Sequence, residues 1–256
     1  MLSVQGTETF VADTGIGESC MLLHGNPDTH AVWTPVIERL AARLHCYAPD
    51  LPGFGQTRVP AGFDFSLASQ GAWVHDLLDA LGLDRVHLVV HDVGGPYGLA
   101  FATEHAARLR SLTIFNTIFF PDYHWHFWAR VWRTRRLGEL AMAIMNRPLF
   151  IHELQRGSPH IPRAYAERAY DEITPQMKQA VLRWYRAMDP SVWRGWDTRL
   201  RAATEAVPTQ VVWGDLDPYI SSRFADRFGG TVTHAPECGH WVMLENPALC
   251  AAKIAV

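Results

Sequence analysis

The stretch from Val86 to Gly98, VHLVVHDVGGPYG, constrains this chain more than any other. Val86 to Val90 is apolar or β-branched at every position but His87, which predicts a buried strand. Helical spacing begins just beyond it, with Tyr97, Ala100 and Phe101 in register. A strand that turns this sharply into a helix needs small residues past the turn, and Gly94 and Gly95 supply them. Such an elbow lifts one side chain to the helix N-terminus, among backbone N–H groups. The lifted residue here is Asp92.

The rest of the chain supplies what such an elbow requires. Its 256 residues suffice for one α/β domain carrying an insertion. Short strands are predicted at Thr7–Ala12 (an edge strand), Cys20–Leu23, His45–Ala48, Leu109–Phe115, Thr209–Trp213 and Thr231–His234. Helices are predicted over Ala31–Arg43, started by Asp28 or Thr29, over Ser66–Leu81, stopped by Gly82, and from Pro247 to the end. Alternating strands and helices imply a mostly parallel sheet with helices on both faces, and a site at the C-terminal strand ends. Between Pro121 and Ala206 the pattern is helical and holds six of the ten tryptophans. We therefore expect residues 1–120 and 207–256 to form the core domain and 121–206 a helical cap.

Composition excludes several function classes. A net charge of −3 gives no reason to expect nucleic acid or an acidic membrane surface as partner. No apolar run reaches the roughly 18–20 residues of a membrane span. The N-terminus has no secretory pattern, so a cytoplasmic location is expected. The four cysteines and thirteen histidines fall in no metal-ligand spacing, so neither metal nor cofactor is expected.

Four motifs follow four different predicted strands and would open onto one surface: HGNP (24–27), VHDVGG (90–95), WGDLDPYI (213–220) and CGHW (238–241). Asp92, Asp217 and His240 come in the order nucleophile, acid, base, with Asp215 a competitor for the acid. This pattern resembles the α/β-hydrolase superfamily, specifically its aspartate-nucleophile branch of haloalkane dehalogenases and epoxide hydrolases. LVVHD (88–92) and HGNP with Trp33 downstream look like the dehalogenases. Arg183-Trp184-Tyr185-Arg186 looks like the epoxide hydrolase segment that presents a tyrosine. Dehalogenases typically carry tryptophan directly after the nucleophile, where this chain has Val93.

The resemblance implies an α/β-hydrolase fold and a hydrolase that needs no cofactor. Aspartate, ionised at neutral pH, attacks an sp³ carbon without help from a base and forms an alkyl-enzyme ester. His240 would activate water to hydrolyse that ester, with Asp217 fixing its tautomer. Backbone N–H groups of Asn26 and Val93 would form the oxyanion or halide site, with Trp125, Trp128 or Tyr185 as donors from the cap. The tryptophan-rich cap implies a small hydrophobic substrate. Dehalogenation leads this reading and epoxide opening follows. An esterase or lyase on the same scaffold, or a non-catalytic ligand-binding protein, are the remaining alternatives.

Overall fold

The computed structural model describes residues 1–254. Its centre is a seven-stranded sheet of β3 (Val11–Gly15), β4 (Glu18–Leu23), β5 (Leu44–Pro49), β6 (Val86–His91), β7 (Leu109–Phe115), β8 (Thr209–Gly214) and β9 (Thr231–Ala235). Their spatial order is β3-β5-β4-β6-β7-β8-β9; β3 runs antiparallel at the edge and the other neighbours are parallel. The strands alternate as buried strands must. Leu88, Val90, Leu112, Ile114, Val211 and Trp213 face one hydrophobic core, while Leu22, Val89, Phe115 and Val212 face the other.

The first core lies under α2 (Leu67–Ala80) and α3 (Gly94–Glu104), the second under α1 (Thr34–Leu40) and α11 (Pro247–Lys253). Ser66 starts α2 by accepting from Ser69 N–H at 3.3 Å, and Gly82 stands just past its end in a left-handed conformation. The predicted continuation of the last helix to 256 lies partly outside the described residues. No helix among the described residues is long and apolar enough to cross a membrane.

Two predicted elements divide. In place of one edge strand over Thr7–Ala12, β2 (Thr7–Thr9) pairs with β1 (Leu2–Val4) in a separate ribbon, and β3 joins the main sheet. The break falls at Phe10, whose N–H goes to Thr57 Oγ1 and whose carbonyl accepts from Asp50. The helix predicted over Ala31–Arg43 begins as a 3₁₀ turn, His30–Trp33, capped by Thr29. It restarts as α1 at Thr34, where Pro35 lacks the N–H that would continue it from the preceding turn.

Between β7 and β8 the described chain forms α4 (Phe127–Arg133), α5 (Leu137–Ile144), α6 (Arg147–Gly157), α7 (Arg163–Asp171), α8 (Pro175–Ala187) and α9 (Trp196–Ala203). Trp184 and Trp193 are fully buried among these helices. On the outer side of α4 and α5, Phe127 and Leu140 are more than half exposed, at 60% and 55%.

Helix α3 lies against the strand ends because its glycines permit it. A Cβ on Gly95 would sit 2.7 Å from Thr117 Cβ and closer still to its hydroxyl. We expect Gly95→Ala to destabilise the fold by about 1–3 kcal/mol, read as a lower midpoint in thermal or urea unfolding.

Candidate active site

The turn between β6 and α3 holds Asp92 at φ 45°, in the left-handed region that a side-chain-bearing residue seldom enters. Its neighbours enforce that conformation. Asp92 N–H donates to Asn116 O at 3.2 Å, and its carbonyl accepts from Gly95 N–H at 2.8 Å and Thr117 Oγ1 at 2.6 Å. Gly25 leaves no room for a side chain, since a Cβ there would lie 2.5 Å from Asp92 Cβ. The result aims the carboxylate outward, where Oδ2 accepts from Asn26 N–H at 2.9 Å.

Opposite it stands His240, on the loop between β9 and α10 (Val242–Glu245). Its Nδ1 bonds Asp217 Oδ2 at 2.7 Å, leaving Nε2 turned toward Asp92 Oδ2 at 3.7 Å. That gap is longer than a direct hydrogen bond. Asp217 Oδ2 also accepts from Asn116 Nδ2 at 2.8 Å, and Oδ1 from the N–H groups of Tyr219 and Ile220 at 2.7 and 3.1 Å. Four donors satisfy this buried carboxylate and fix its direction. Asp215, the competitor, turns away and bonds His234, which is 44% exposed.

Burial opposes charge on His240, but the Asp217 and Asp92 carboxylates outweigh it and raise the imidazole to about 10. Burial likewise opposes ionisation of Asp92. The His240 charge beside it, together with the Asn26 N–H, outweighs it, and the carboxyl falls below its usual range. The resting pair is therefore carboxylate and imidazolium. His91 points to the far side of the strand and donates from Nε2 to His240 O at 3.0 Å; burial holds it neutral, down to about 3. His24 orders its own loop, donating from Nδ1 to Gly25 O and accepting Leu51 N–H at Nε2; burial takes it to about 4.

Above Asp92 and His240 opens a cavity of about 170 Å³. An apolar cavity near 150 Å³ holds a benzene-sized molecule. Asn26, Trp125, Trp128 and Tyr185 line it, whereas Val93 is buried at the start of α3 and its side chain is not among the lining groups. The buried Trp125 Nε1–H has no hydrogen-bond partner among the described residues. The hydroxyls of Tyr123 and Tyr219, which also line the cavity, donate to Tyr219 O and Glu153 O.

Three contributors were not singled out from the sequence. Asn116 has a signal, since a polar Asn-Thr pair ends an apolar strand at the same sheet edge as the four motifs. His126 lines the cavity, and its Nδ1 caps α4 by accepting from Ala129 N–H at 3.4 Å, so Nε2 carries the hydrogen. Burial depresses it to about 4. Asp28, one of two candidate helix starters, is instead a buried carboxyl bonded by Tyr165 Oη at 2.7 Å and Trp241 Nε1 at 2.9 Å.

Residues 21–247 match the family model of the alpha/beta hydrolase fold. Haloalkane dehalogenase 2 of Mycobacterium tuberculosis (strain ATCC 25618 / H37Rv) is 28% identical over 260 residues, covering 94% of this chain and 88% of that protein. A 2-hydroxymuconate semialdehyde hydrolase of Pseudomonas sp. (strain CF600) is 29% identical over 273 residues, covering 97% and 89%. Among solved structures, a haloalkane dehalogenase loop variant from Bradyrhizobium elkanii superposes with a TM-score of 0.81 at 23% identity, covering 97% of this chain and 92% of that one.

The buried histidines make stability pH-dependent. His24 and His91 stay neutral in the folded chain but bind protons below about 6.5 once unfolded. Each contribution is complete above that pH and is lost as pH falls toward the folded value, at about 1.4 kcal/mol per unit. Asp28, raised by burial to about 6, works in the opposite direction over its own range. Urea unfolding between about pH 6.5 and 4.5 should show falling stability; a flat profile would contradict the assignment of two neutral buried imidazoles.

Proposed function

The chain belongs to the α/β-hydrolase fold family, and we propose that within it the protein hydrolyses a small hydrophobic substrate through an ester on Asp92. The observation that carries this reading is an ionised carboxylate held at a strained elbow, 3.7 Å from an imidazole oriented by a second carboxylate. A serine there would need a base to attack; a carboxylate needs none but attacks acyl groups poorly. Its suited target is an sp³ carbon bearing a leaving group.

In the proposed cycle Asp92 Oδ bonds to carbon as the carbon–halogen bond breaks, and the halide leaves with the electron pair. Esterification removes one of the two negative charges that raise His240, so the imidazolium becomes more acidic and releases its proton. Neutral Nε2 then takes a proton from water, and the resulting hydroxide adds to the ester carbonyl. The Asn26 N–H is placed to stabilise the oxyanion that forms. On collapse the alkoxide leaves with the proton from His240 Nε2 as the alcohol, and the acid left on Asp92 returns its proton to His240, restoring carboxylate and imidazolium. The balance is R–X plus water giving R–OH plus HX.

Haloalkanes are the favoured substrate class because the unpartnered Trp125 indole N–H and the Nε2–H of His126 are neutral donors among the groups around the cavity. The dehalogenase among the relatives is consistent with this. Tyr185, also lining the cavity and buried, supports epoxide opening as the second reading, with its hydroxyl as proton donor to the ring oxygen.

Intact-protein mass spectrometry of His240→Ala incubated with 1-bromobutane and styrene oxide tests both. The expected result is a stable adduct, because loss of the base slows ester hydrolysis by roughly 10²–10⁴-fold. A gain of the bromobutane mass less HBr marks dehalogenation, and a gain of the whole epoxide marks ring opening. Asp92→Asn should abolish adduct and turnover alike; retained turnover would overturn the covalent mechanism.

A further inference from the structure

We propose that the Asp28 carboxylate is a positioning group for His240, joining the loop that carries the Asn26 donor to the loop that carries the base. The inference rests on the reading of His240 as the base. The backbone at His240–Trp241 is held at several points. His240 N–H donates to Gly157 O at 2.8 Å, His240 O accepts from His91 at 3.0 Å, and Trp241 N–H donates to Ser158 Oγ at 2.8 Å. The Trp241 indole supplies one more attachment, donating to Asp28 Oδ2 at 2.9 Å. The other oxygen, Oδ1, takes the Tyr165 hydroxyl of α7 at 2.7 Å. Two residues before Asp28, the Asn26 N–H reaches the Asp92 carboxylate at 2.9 Å. One fully buried side chain thus spans from the nucleophile's donor to the neighbour of the base.

The chemistry of this carboxyl separates a positioning role from packing. It is buried against two neutral donors, with no Lys or Arg salt bridge among the described residues. An apolar or amide side chain would fill the space without the burial cost of a charge. What a carboxylate adds is acceptance by both oxygens at once, with nothing to donate. Once protonated, it carries an O–H that the Trp241 indole cannot accept and only the Tyr165 hydroxyl can, so donation from both partners at once is lost. The ionisable groups facing it are Tyr165 from α7, Asp92 from the β6–α3 turn and His240 from the β9–α10 loop; Arg168 of α7 and Glu172 just past its end act on Tyr165. Burial, with a smaller contribution from Asp92, holds this proton equilibrium at about 6, within reach of ordinary assay conditions.

The test compares wild type with Asp28→Asn and Tyr165→Phe. The first readout is the downfield NMR signal of the His240 Nδ1–H shared with Asp217, followed from about pH 5 to 8 without substrate. In wild type the signal should weaken in acid with a midpoint near 6. In Asp28→Asn it should be weaker throughout and lose that midpoint. In Tyr165→Phe, which keeps the carboxylate but removes one donor, the midpoint should move up. The second readout is hydrolysis of the Asp92 ester formed with 1-bromobutane, expected to slow about ten- to a hundredfold in Asp28→Asn at pH 7.5 with KM little changed. A signal that titrates identically in wild type and Asp28→Asn overturns the proposal, as does an unchanged or lowered midpoint in Tyr165→Phe. If no ester forms with any probe, the hydrolytic reading is what fails, and the NMR comparison still decides the role of Asp28.

Discussion

Everything in the site depends on how tightly the chain reverses at Asp92. A side-chain-bearing residue at φ 45° is held there against its own preference, so the surroundings must supply the compensation. They do so from the two strands that flank β6. The β4 end contributes Gly25 and the carbonyls of Leu23 and His24, which leave Gly94 no space for a Cβ. The residues after β7 contribute the Asn116 carbonyl and the Thr117 hydroxyl. Asn116 also grips Asp217 beyond β8, so one amide side chain and its own backbone link the elbow to the carboxylate that orients the imidazole. The parallel sheet is thus the frame that fixes the distance between Asp92 and His240.

The charge arrangement follows from that frame. Two buried carboxylates flank one imidazole, and the mutual attraction keeps the imidazole protonated and Asp92 ionised. Such an arrangement is expensive to bury unless each oxygen has donors, and they are present at Asp217 and partly at Asp92. The oxygens of Asp92 are the less covered, with the side chain 13% exposed against 1% for Asp217. The less covered carboxylate is the one that faces the cavity.

The sheet, the elbow and the grouping of Asp92, Asp217 and His240 were legible in the sequence because each is written locally. A buried strand is an apolar run, the elbow is a pair of glycines, and strand ends share a surface by topology alone. What was not legible depends on distant partners. Nothing near Phe10 announces that Thr57 and Asp50 will break the first strand there. Asp28 reads as a helix starter until Tyr165 and Trp241, 137 and 213 positions away, are seen to enclose it. His126 looks like one of many histidines until the cavity closes around it. That Asp217 and not Asp215 bonds His240 likewise depends on the side to which each turns, which a sequence does not record.

The two walls of the cavity differ in how they are attached. One wall is lined by Phe150, Glu153 and Leu154 of α6, and the residues at and after its end, Gly157, Ser158 and Tyr165, are bonded into the His240–Trp241 loop and its Asp28 support. Across the opening, α4 and α5 carry Trp128, Ala141 and Ile144 into the lining, while Phe127 and Leu140 lie exposed outside. A mutation that reshapes the first wall therefore disturbs the His240 loop along with the space. One within α5, or in α4 beyond its His126 cap, alters the space and leaves those attachments in place. A library meant to change which molecules the cavity accepts therefore belongs along α4 and α5.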